Sequence, residues 1–299
     1  MMKIRLMTGL SVVSAICTVL FLKHITEPTI EAQAALLIDA KSGEVIFEKN
    51  ADTPLPAASM SKMMTEYLVL EQLHEGKISW NDEVPITEHA ANVEGARIDL
   101  RSGDRVTVRD LYVAMLIPSA NNAAVALAEY IAGDEERFAA EMNQKGLELG
   151  LKNSYFINAS GLTDGDQATQ MTAKDLGKLA KALLKDFPEV LKTTSLPEYT
   201  MKFSSERVRS TNHMLQDPEL AAEGLDGLKT GFTNKAGYCF TGTAARDGRR
   251  LISVVMGAQD SDTRFIETQK LFAMGFDSVY IPTFRSIIVK AKEIKEQWV

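Results

Sequence analysis

The stretch Ser59-Met60-Ser61-Lys62 begins a run to Leu73 that contains neither glycine nor proline. Apolar residues recur within this run at helical spacing, which predicts a helix that begins at Ser59. Residues i and i+3 lie on one face of a helix, so we expect the Ser59 hydroxyl and the Lys62 amine to point into the same space.

Strand patterns lie on both sides of this helix, toward the two ends of the chain. A hairpin is predicted over 35–39 and 45–47, and strands return at 227–230, 238–245 and 250–256, followed by a helix at 262–274. The middle of the chain is predicted to be mostly helical, at 107–116, 122–131, 135–149 and 172–184. We therefore predict an α+β fold, an α/β sandwich in which an antiparallel sheet is covered by helices and carries an inserted all-helical subdomain.

Two further motifs follow Ser59 and Lys62 in a fixed order, Ser119-Ala120-Asn121 and then Lys229-Thr230-Gly231. The two serine motifs occur easily by chance and the Lys-Thr-Gly motif is rarer, and the ordered set of three is typical of a Ser/Lys acyl-transfer site, which needs no histidine. The helix start, the turn between helices and the strand that carry them are expected to line one cleft.

The chemistry assigns a role to each motif. Ser59 is the candidate nucleophile and Lys62 its general base, which works only when neutral. Burial, or the nearby charge of Lys229, would lower the pKa of Lys62 as that role requires. Ser119 is expected to pass a proton to the leaving amine, and Asn121 to bind the substrate amide.

The third motif is expected to hold the end of the substrate. The Lys229 charge and the Thr230 hydroxyl suit a carboxylate. The backbone N–H groups of Ser59 and Phe232 are the candidates for an oxyanion hole. Three structural alternatives remain: Ser59 as a helix cap, Ser119 and Asn121 as turn formers, and Lys229 as a solvated edge lysine.

Composition excludes other classes of function. The net charge of −7 provides no basic surface for nucleic acid. The four histidines are scattered, so we predict no metal and no cofactor. Asn122 is expected to be a helix cap rather than a ligand group.

The N-terminus predicts export. Lys3 and Arg5 precede an uncharged apolar run at 6–22, as in a signal sequence. Ala32-Gln33-Ala34 has the form of a cleavage site but lies far from that run, so residues 1–34 are either a cleaved signal or, as we favour, an uncleaved membrane anchor with a linker. A catalytic domain is predicted over 35–281, and 282–299 form a C-terminal segment with the pattern of an amphipathic helix.

The motifs resemble those of the low-molecular-mass penicillin-binding proteins, specifically the serine-type D-alanyl-D-alanine carboxypeptidases. The similar segments are 56–65, 119–124, 158–162 and 226–231, within a resemblance that spans about 35–280. It implies a β-lactamase/transpeptidase-like fold and removal of the terminal D-alanine from peptidoglycan stem peptides through an acyl-Ser59 intermediate. It also implies acylation by penicillin, and it adds Gly231 and Arg264 to the substrate-binding residues.

Two departures from the family pattern stand out. Many relatives continue into a β-rich second domain, whereas this sequence ends soon after residue 280. Phe232 stands where relatives often have a polar residue.

A class A β-lactamase-like hydrolase remains an alternative, although its E-x-x-L-N segment is missing from the sequence. A non-catalytic penicillin-binding or peptidoglycan-sensing module is the second alternative.

Overall fold

The computed structural model describes residues 29–276. The chain divides into two units, Met1–Ile30 and Glu31–Val299, and the fold below is that of the second unit. The predicted signal or anchor at 6–22 and the C-terminal segment 282–299 lie outside the described residues. Within 29–276, no helix combines the length and the apolar character that a membrane span needs.

The helices and strands follow one another in an order that places strands at both ends of the domain. The helices are α1 (Lys62–His74), α2 (Glu88–Asn92), α3 (Val108–Leu116), α4 (Asn121–Ala132), α5 (Glu135–Glu148), α6 (Ala173–Asp186), α7 (Leu191–Thr194) and α8 (Thr263–Phe276). The strands are β1 (Ala34–Asp39), β2 (Val45–Lys49), β3 (Leu55–Pro56), β4 (Glu83–Pro85), β5 (Arg105–Thr107), β6 (Gln170–Met171), β7 (Glu198–Thr200), β8 (Arg207–Arg209), β9 (Leu225–Thr233), β10 (Gly237–Arg246) and β11 (Arg249–Ala258).

One five-stranded antiparallel sheet joins the two ends of the domain in the order β2-β1-β11-β10-β9. Ala34 of β1 pairs with Met256 of β11, and Lys229 of β9 pairs with Thr241 of β10. β9 is therefore an edge strand of this sheet. The pairing of N-terminal and C-terminal strands confirms the predicted α+β class.

Successive residues of a strand point to opposite sides of the sheet, and successive residues of β1 are buried. Helices therefore cover both faces of the sheet. On one face, a Cβ added at Gly177 of α6 would lie 2.6 Å from Leu36 Cδ2. On the other, a Cβ at Gly275 of α8 would lie 3.0 Å from Leu37 Cδ2. Both glycines thus allow a helix to lie directly on β1, and the strand between them is buried.

The inserted region between β2 and β9 is mainly helical, as predicted. Thr172 caps α6, because its hydroxyl oxygen accepts a hydrogen bond from the Asp175 backbone N–H. The region also contains short two-stranded ribbons, β4 with β5 and β7 with β8, which an all-helical subdomain does not include. Each of these strands has three residues, too few to give a clear alternating pattern in the sequence.

Candidate active site

Ser59 lies in a 3₁₀ turn, Ala58–Ser61, that leads directly into α1. The predicted helix is present, but its α-helical part begins at Lys62, and the Ser59 hydroxyl caps no backbone N–H group. Ala58 has a φ of 47°, a left-handed conformation that non-glycine residues rarely adopt. Such local strain is found preferentially at functional sites.

The Lys62 amine is fully buried and contacts three oxygen atoms of the chain. Its Nζ lies 2.7 Å from Ser59 Oγ, 2.7 Å from Asn121 Oδ1 and 2.8 Å from the Ser160 carbonyl oxygen. The spacing of Ser59 and Lys62 thus gives the direct contact that the sequence predicts. The Asn121 and Ser160 oxygens accept from the amine and hold it beside the Ser59 hydroxyl.

Asn121 is the first residue of α4 rather than part of the preceding turn. Its Oδ1 accepts from Lys62, and its Nδ2 donates to the Glu94 carbonyl oxygen over 2.8 Å. The expected cap at Asn122 is wrong: Ala120 occupies the cap position, and Asn122 Nδ2 donates to the Ile98 carbonyl oxygen instead. A buried amide needs partners, and this loop backbone supplies them.

Ser119 and Lys229 form the second hydrogen-bonded pair of the site. Lys229 Nζ donates to Ser119 Oγ over 2.8 Å, and both side chains are buried. The reading of Lys229 as a solvated edge lysine is therefore wrong, although β9 is an edge strand, because the inserted subdomain covers this strand. Ser119 itself has a φ of 66°, so the turn between α3 and α4 is held in a strained conformation.

Thr230 and Gly231 continue β9 along the cleft. Thr230 Oγ1 lies 2.6 Å from Thr211 Oγ1. A Cβ at Gly231 would lie 3.0 Å from the Ala57 carbonyl oxygen and 3.2 Å from the Met60 backbone nitrogen. Gly231 therefore lets β9 lie against the turn that carries Ser59.

Arg264 and Phe232 lie at the same end of β9. Arg264 is buried and donates from Nη1 to the Gly231 carbonyl oxygen over 3.2 Å. It lies over the Tyr238 ring, with Cζ 5.4 Å from the ring centroid. Phe232 is 47% exposed and packs on the same tyrosine, with ring centroids 4.3 Å apart.

Burial and positive charge set the protonation of the site. Burial first, and then the charge of Lys229, hold the pKa of Lys62 well below its usual value. Burial, followed by the charge of Arg264, lowers the pKa of Lys229 to about 7, against the opposing field of Glu66. Because the Lys229 charge acts on Lys62, the arrangement favours a neutral Lys62 beside a protonated Lys229.

These side chains line one cleft of about 310 Å³. Ser59, Ser119, Asn121, Thr230, Gly231, Phe232 and Arg264 border it. Lys62 and Lys229 lie behind this wall, because each is buried and hydrogen-bonded to a serine that lines the cleft. The three motifs of the sequence therefore meet at one place.

The structure adds groups that the motifs did not indicate. The Ser160 carbonyl contacts Lys62, and Thr211 contacts Thr230 and lines the cleft. A backbone acceptor leaves no side-chain signal in a sequence. The nearest signal in the sequence is the segment 158–162, which has the family pattern and contains Ser160.

Comparison with known proteins agrees with this arrangement. The family model described as "D-alanyl-D-alanine carboxypeptidase", peptidase S11, matches residues 22–260. The D-alanyl-D-alanine carboxypeptidase DacF of Bacillus subtilis is 37% identical over 85% of this chain. The D-alanyl-D-alanine carboxypeptidase DacC of Escherichia coli is 38% identical over 83% of this chain. The chain spans 64% and 62% of the length of those two relatives.

Solved structures show the same similarity. Penicillin-binding protein D2 of Listeria monocytogenes, in an ampicillin-bound form, is 40% identical with a TM-score of 0.76, over 84% of this chain and 100% of that one. Penicillin-binding protein 5 of Haemophilus influenzae is 36% identical with a TM-score of 0.78, over 84% of this chain and 72% of that one. The matched family model and the identity to these relatives show that the chain belongs to the peptidase S11 family of D-alanyl-D-alanine carboxypeptidases.

Proposed function

We propose that this protein is a serine-type D-alanyl-D-alanine carboxypeptidase that removes the terminal D-alanine from peptidoglycan stem peptides. The observation that carries the proposal is the contact of the buried Lys62 amine with the Ser59 hydroxyl over 2.7 Å. A lysine held neutral beside a serine can accept its proton, which is the activation that a serine nucleophile needs.

Acylation uses the two serine–lysine pairs in turn. Lys62 Nζ takes the proton of Ser59 as Oγ bonds to the carbonyl carbon of the penultimate D-alanine. The resulting oxyanion is stabilised by the backbone N–H groups of Ser59 and Phe232. The C–N bond to the terminal D-alanine then breaks as its nitrogen receives a proton through Ser119.

Hydrolysis of the acyl-enzyme uses Lys62 as the base a second time. Once the Lys62 proton has moved through Ser119 to the leaving amine, Lys62 is neutral again. It can then take a proton from water, whose oxygen bonds to the acyl carbon. The C–O bond to Ser59 breaks and Ser59 regains its proton.

The substrate carboxylate is the handle that orients this reaction. The Thr230 hydroxyl and the Arg264 guanidinium border the cleft, and a protonated Lys229 lies behind Ser119; together these groups would bind a terminal carboxylate. β9 is an edge strand that borders the cleft, so an extended peptide can pair with it as an added strand. Asn121 is expected to hold Lys62 in place as well as to bind the substrate amide, since its Oδ1 already accepts from the Lys62 amine.

The same site is expected to react with β-lactams. A strained lactam presents a carbonyl and a nearby carboxylate to Ser59 and Lys229, as the peptide does. The similar Listeria protein, solved in ampicillin-bound and cefotaxime-bound forms, supports this expectation. We propose that the enzyme acts outside the cytoplasmic membrane, where such peptides lie, and that the predicted N-terminal segment exports it and tethers it there.

Labelling with a fluorescent penicillin, together with D-alanine release from a diacyl-D-Ala-D-Ala peptide, tests the proposal. Ser59→Ala is expected to abolish both signals. Ser61→Ala is the matched control and should still be labelled, because the Ser61 hydroxyl donates to the Ala58 carbonyl oxygen. Labelling without D-alanine release would support a non-catalytic module, and rapid loss of the label with penicillin hydrolysis would support a β-lactamase.

A further inference from the structure

The segment 158–162 holds Lys62 with its backbone rather than with a catalytic side chain. The Ser160 carbonyl oxygen accepts from Lys62 Nζ over 2.8 Å. The next residue, Gly161, lies directly on the Ser59 turn, where an added Cβ would be 2.1 Å from the Ala58 carbonyl oxygen. Any shift of this segment would therefore move an acceptor of the general base.

The peptide groups of Ala159 are bound from both sides. Its carbonyl oxygen accepts from Thr65 Oγ1 over 2.7 Å, and its N–H donates to Glu135 Oε1 over 2.9 Å. Thr65 lies on α1, one turn beyond Lys62. Glu135 is the first residue of α5, outside the three motifs. The carbonyl that contacts Lys62 thus belongs to the residue next to this double attachment.

Glu135 also influences Lys62 through charge. Its field raises the pKa of Lys62, against the lowering by burial and by Lys229. Burial raises the pKa of Glu135 above its usual value; the Ala159 N–H, His89 from α2 and Lys62 from α1 oppose that rise, and Glu129 from α4 adds to it. His89 Nε2 lies 3.9 Å from Glu135 Oε2, and its Nδ1 lies 2.8 Å from Glu129 Oε1.

We propose that Glu135 is a positioning residue for the general base, which fixes the Ala159–Ser160 backbone around Lys62 and supplies the negative charge on that side of it. The inference rests on the proposed role of Lys62 and extends it to a residue that touches neither Ser59 nor the cleft lining. The two contributions, hydrogen bond and charge, can be separated by substitution.

Glu135→Gln removes the charge and keeps an oxygen that can accept from the Ala159 N–H. Without the negative field, the pKa of Lys62 should fall further, so more Lys62 is neutral at acidic pH. The acid limb of the rate of Ser59 acylation by penicillin should therefore move to lower pH, while the plateau stays near the wild-type value. Glu136→Gln, which removes the same charge from the neighbouring exposed residue, is the matched control and should shift nothing.

Glu135→Ala removes the hydrogen bond as well. A loosened Ser160 carbonyl should lower the plateau rate by about ten- to a hundredfold, as small displacements of catalytic groups do. A melting temperature measured on each variant reports whether it is folded. The glutamine variant keeps the test valid if the alanine variant unfolds.

A titration of Lys62 by NMR on protein carrying ε-¹³C lysine gives a readout that needs no activity. The Lys62 signal is assigned by its loss in Lys62→Arg. Wild-type protein that fails to label would overturn the proposed function, whereas the Lys62 titration would still test Glu135. A Lys62 pKa and an acylation profile that are the same in Glu135→Gln, Glu135→Ala and Glu136→Gln would overturn the positioning role.

Discussion

Lys229 Nζ donates a hydrogen bond to Ser119 Oγ over 2.8 Å, and both residues are buried although Lys229 stands on the edge strand of the sheet. The contact joins residues 110 positions apart in the sequence. It connects the group that is proposed to bind the substrate carboxylate with the hydroxyl that is proposed to deliver a proton. Protonation of this one lysine should therefore affect both substrate binding and proton transfer.

Replacing Lys229 by arginine should move the alkaline limb of kcat/KM. The limb reports groups of the free enzyme, and the pKa of Lys229 is lowered to about 7, so its charge is lost as pH rises through that value. Arginine keeps its charge to higher pH, so the limb should shift upward even where the maximal rate falls. Lys235→Arg, an exposed lysine that pairs with Asp166, is the control. An unchanged limb in Lys229→Arg would assign it to another group.

Gly231→Ala should impair acylation more than folding. The added Cβ would lie 3.0 Å from the Ala57 carbonyl oxygen and 3.2 Å from the Met60 nitrogen, both backbone atoms that flank Ser59. The Ser59 turn must shift, and we expect up to about a hundredfold slower penicillin labelling. Gly146→Ala, where a Cβ meets Phe156 at an ordinary 3.5 Å, should label like wild type. Equal rates in both variants would show that the turn tolerates the displacement.

Phe232→Ala should weaken substrate binding with little effect on the chemical step. The change keeps the backbone N–H but removes an exposed ring packed on Tyr238. We expect KM for a diacyl-D-Ala-D-Ala peptide to rise about two- to tenfold, the range that an aromatic contact accounts for, with kcat nearly constant. Tyr155→Ala, an exposed aromatic outside the cleft lining, is the comparison. A fall in kcat alone would instead place the ring's effect on the oxyanion donors.

Glu66→Gln should remove part of the pH dependence of stability. Glu66 is buried on α1 and accepts from Tyr112 Oη over 2.7 Å, and burial raises its pKa to about 8. A carboxyl with a raised pKa stabilises the fold fully below its unfolded pKa, near 4.5, and loses that contribution as pH rises toward about 8.

Wild-type protein should therefore lose more stability between pH 5 and pH 9 than Glu66→Gln, measured by urea unfolding at each pH. The chemically similar Glu75→Gln, at the exposed end of the same helix, should behave as wild type. Parallel pH curves for wild type and Glu66→Gln would contradict the raised pKa.

Much of the fold was predictable because it depends on local patterns. The hairpin at the start of the domain, the strands after residue 225 and the helix start at Thr172 are each encoded within a few residues. The prediction for Asn122 was wrong because an asparagine near a helix start caps it only if the backbone turns there. The Ile98 loop binds its side chain instead.

The sequence by itself determined the reactive pair, because Ser59 and Lys62 are brought together by one helical turn. Only the tertiary structure decided their chemical state. The contacts of Lys62 with Asn121 and Ser160 span 59 and 98 residues, and the burial that lowers the pKa values of Lys62 and Lys229 depends on the inserted subdomain closing over β9. A pattern of residues shows which groups are near in the chain, but desolvation and charge coupling depend on everything that packs around them.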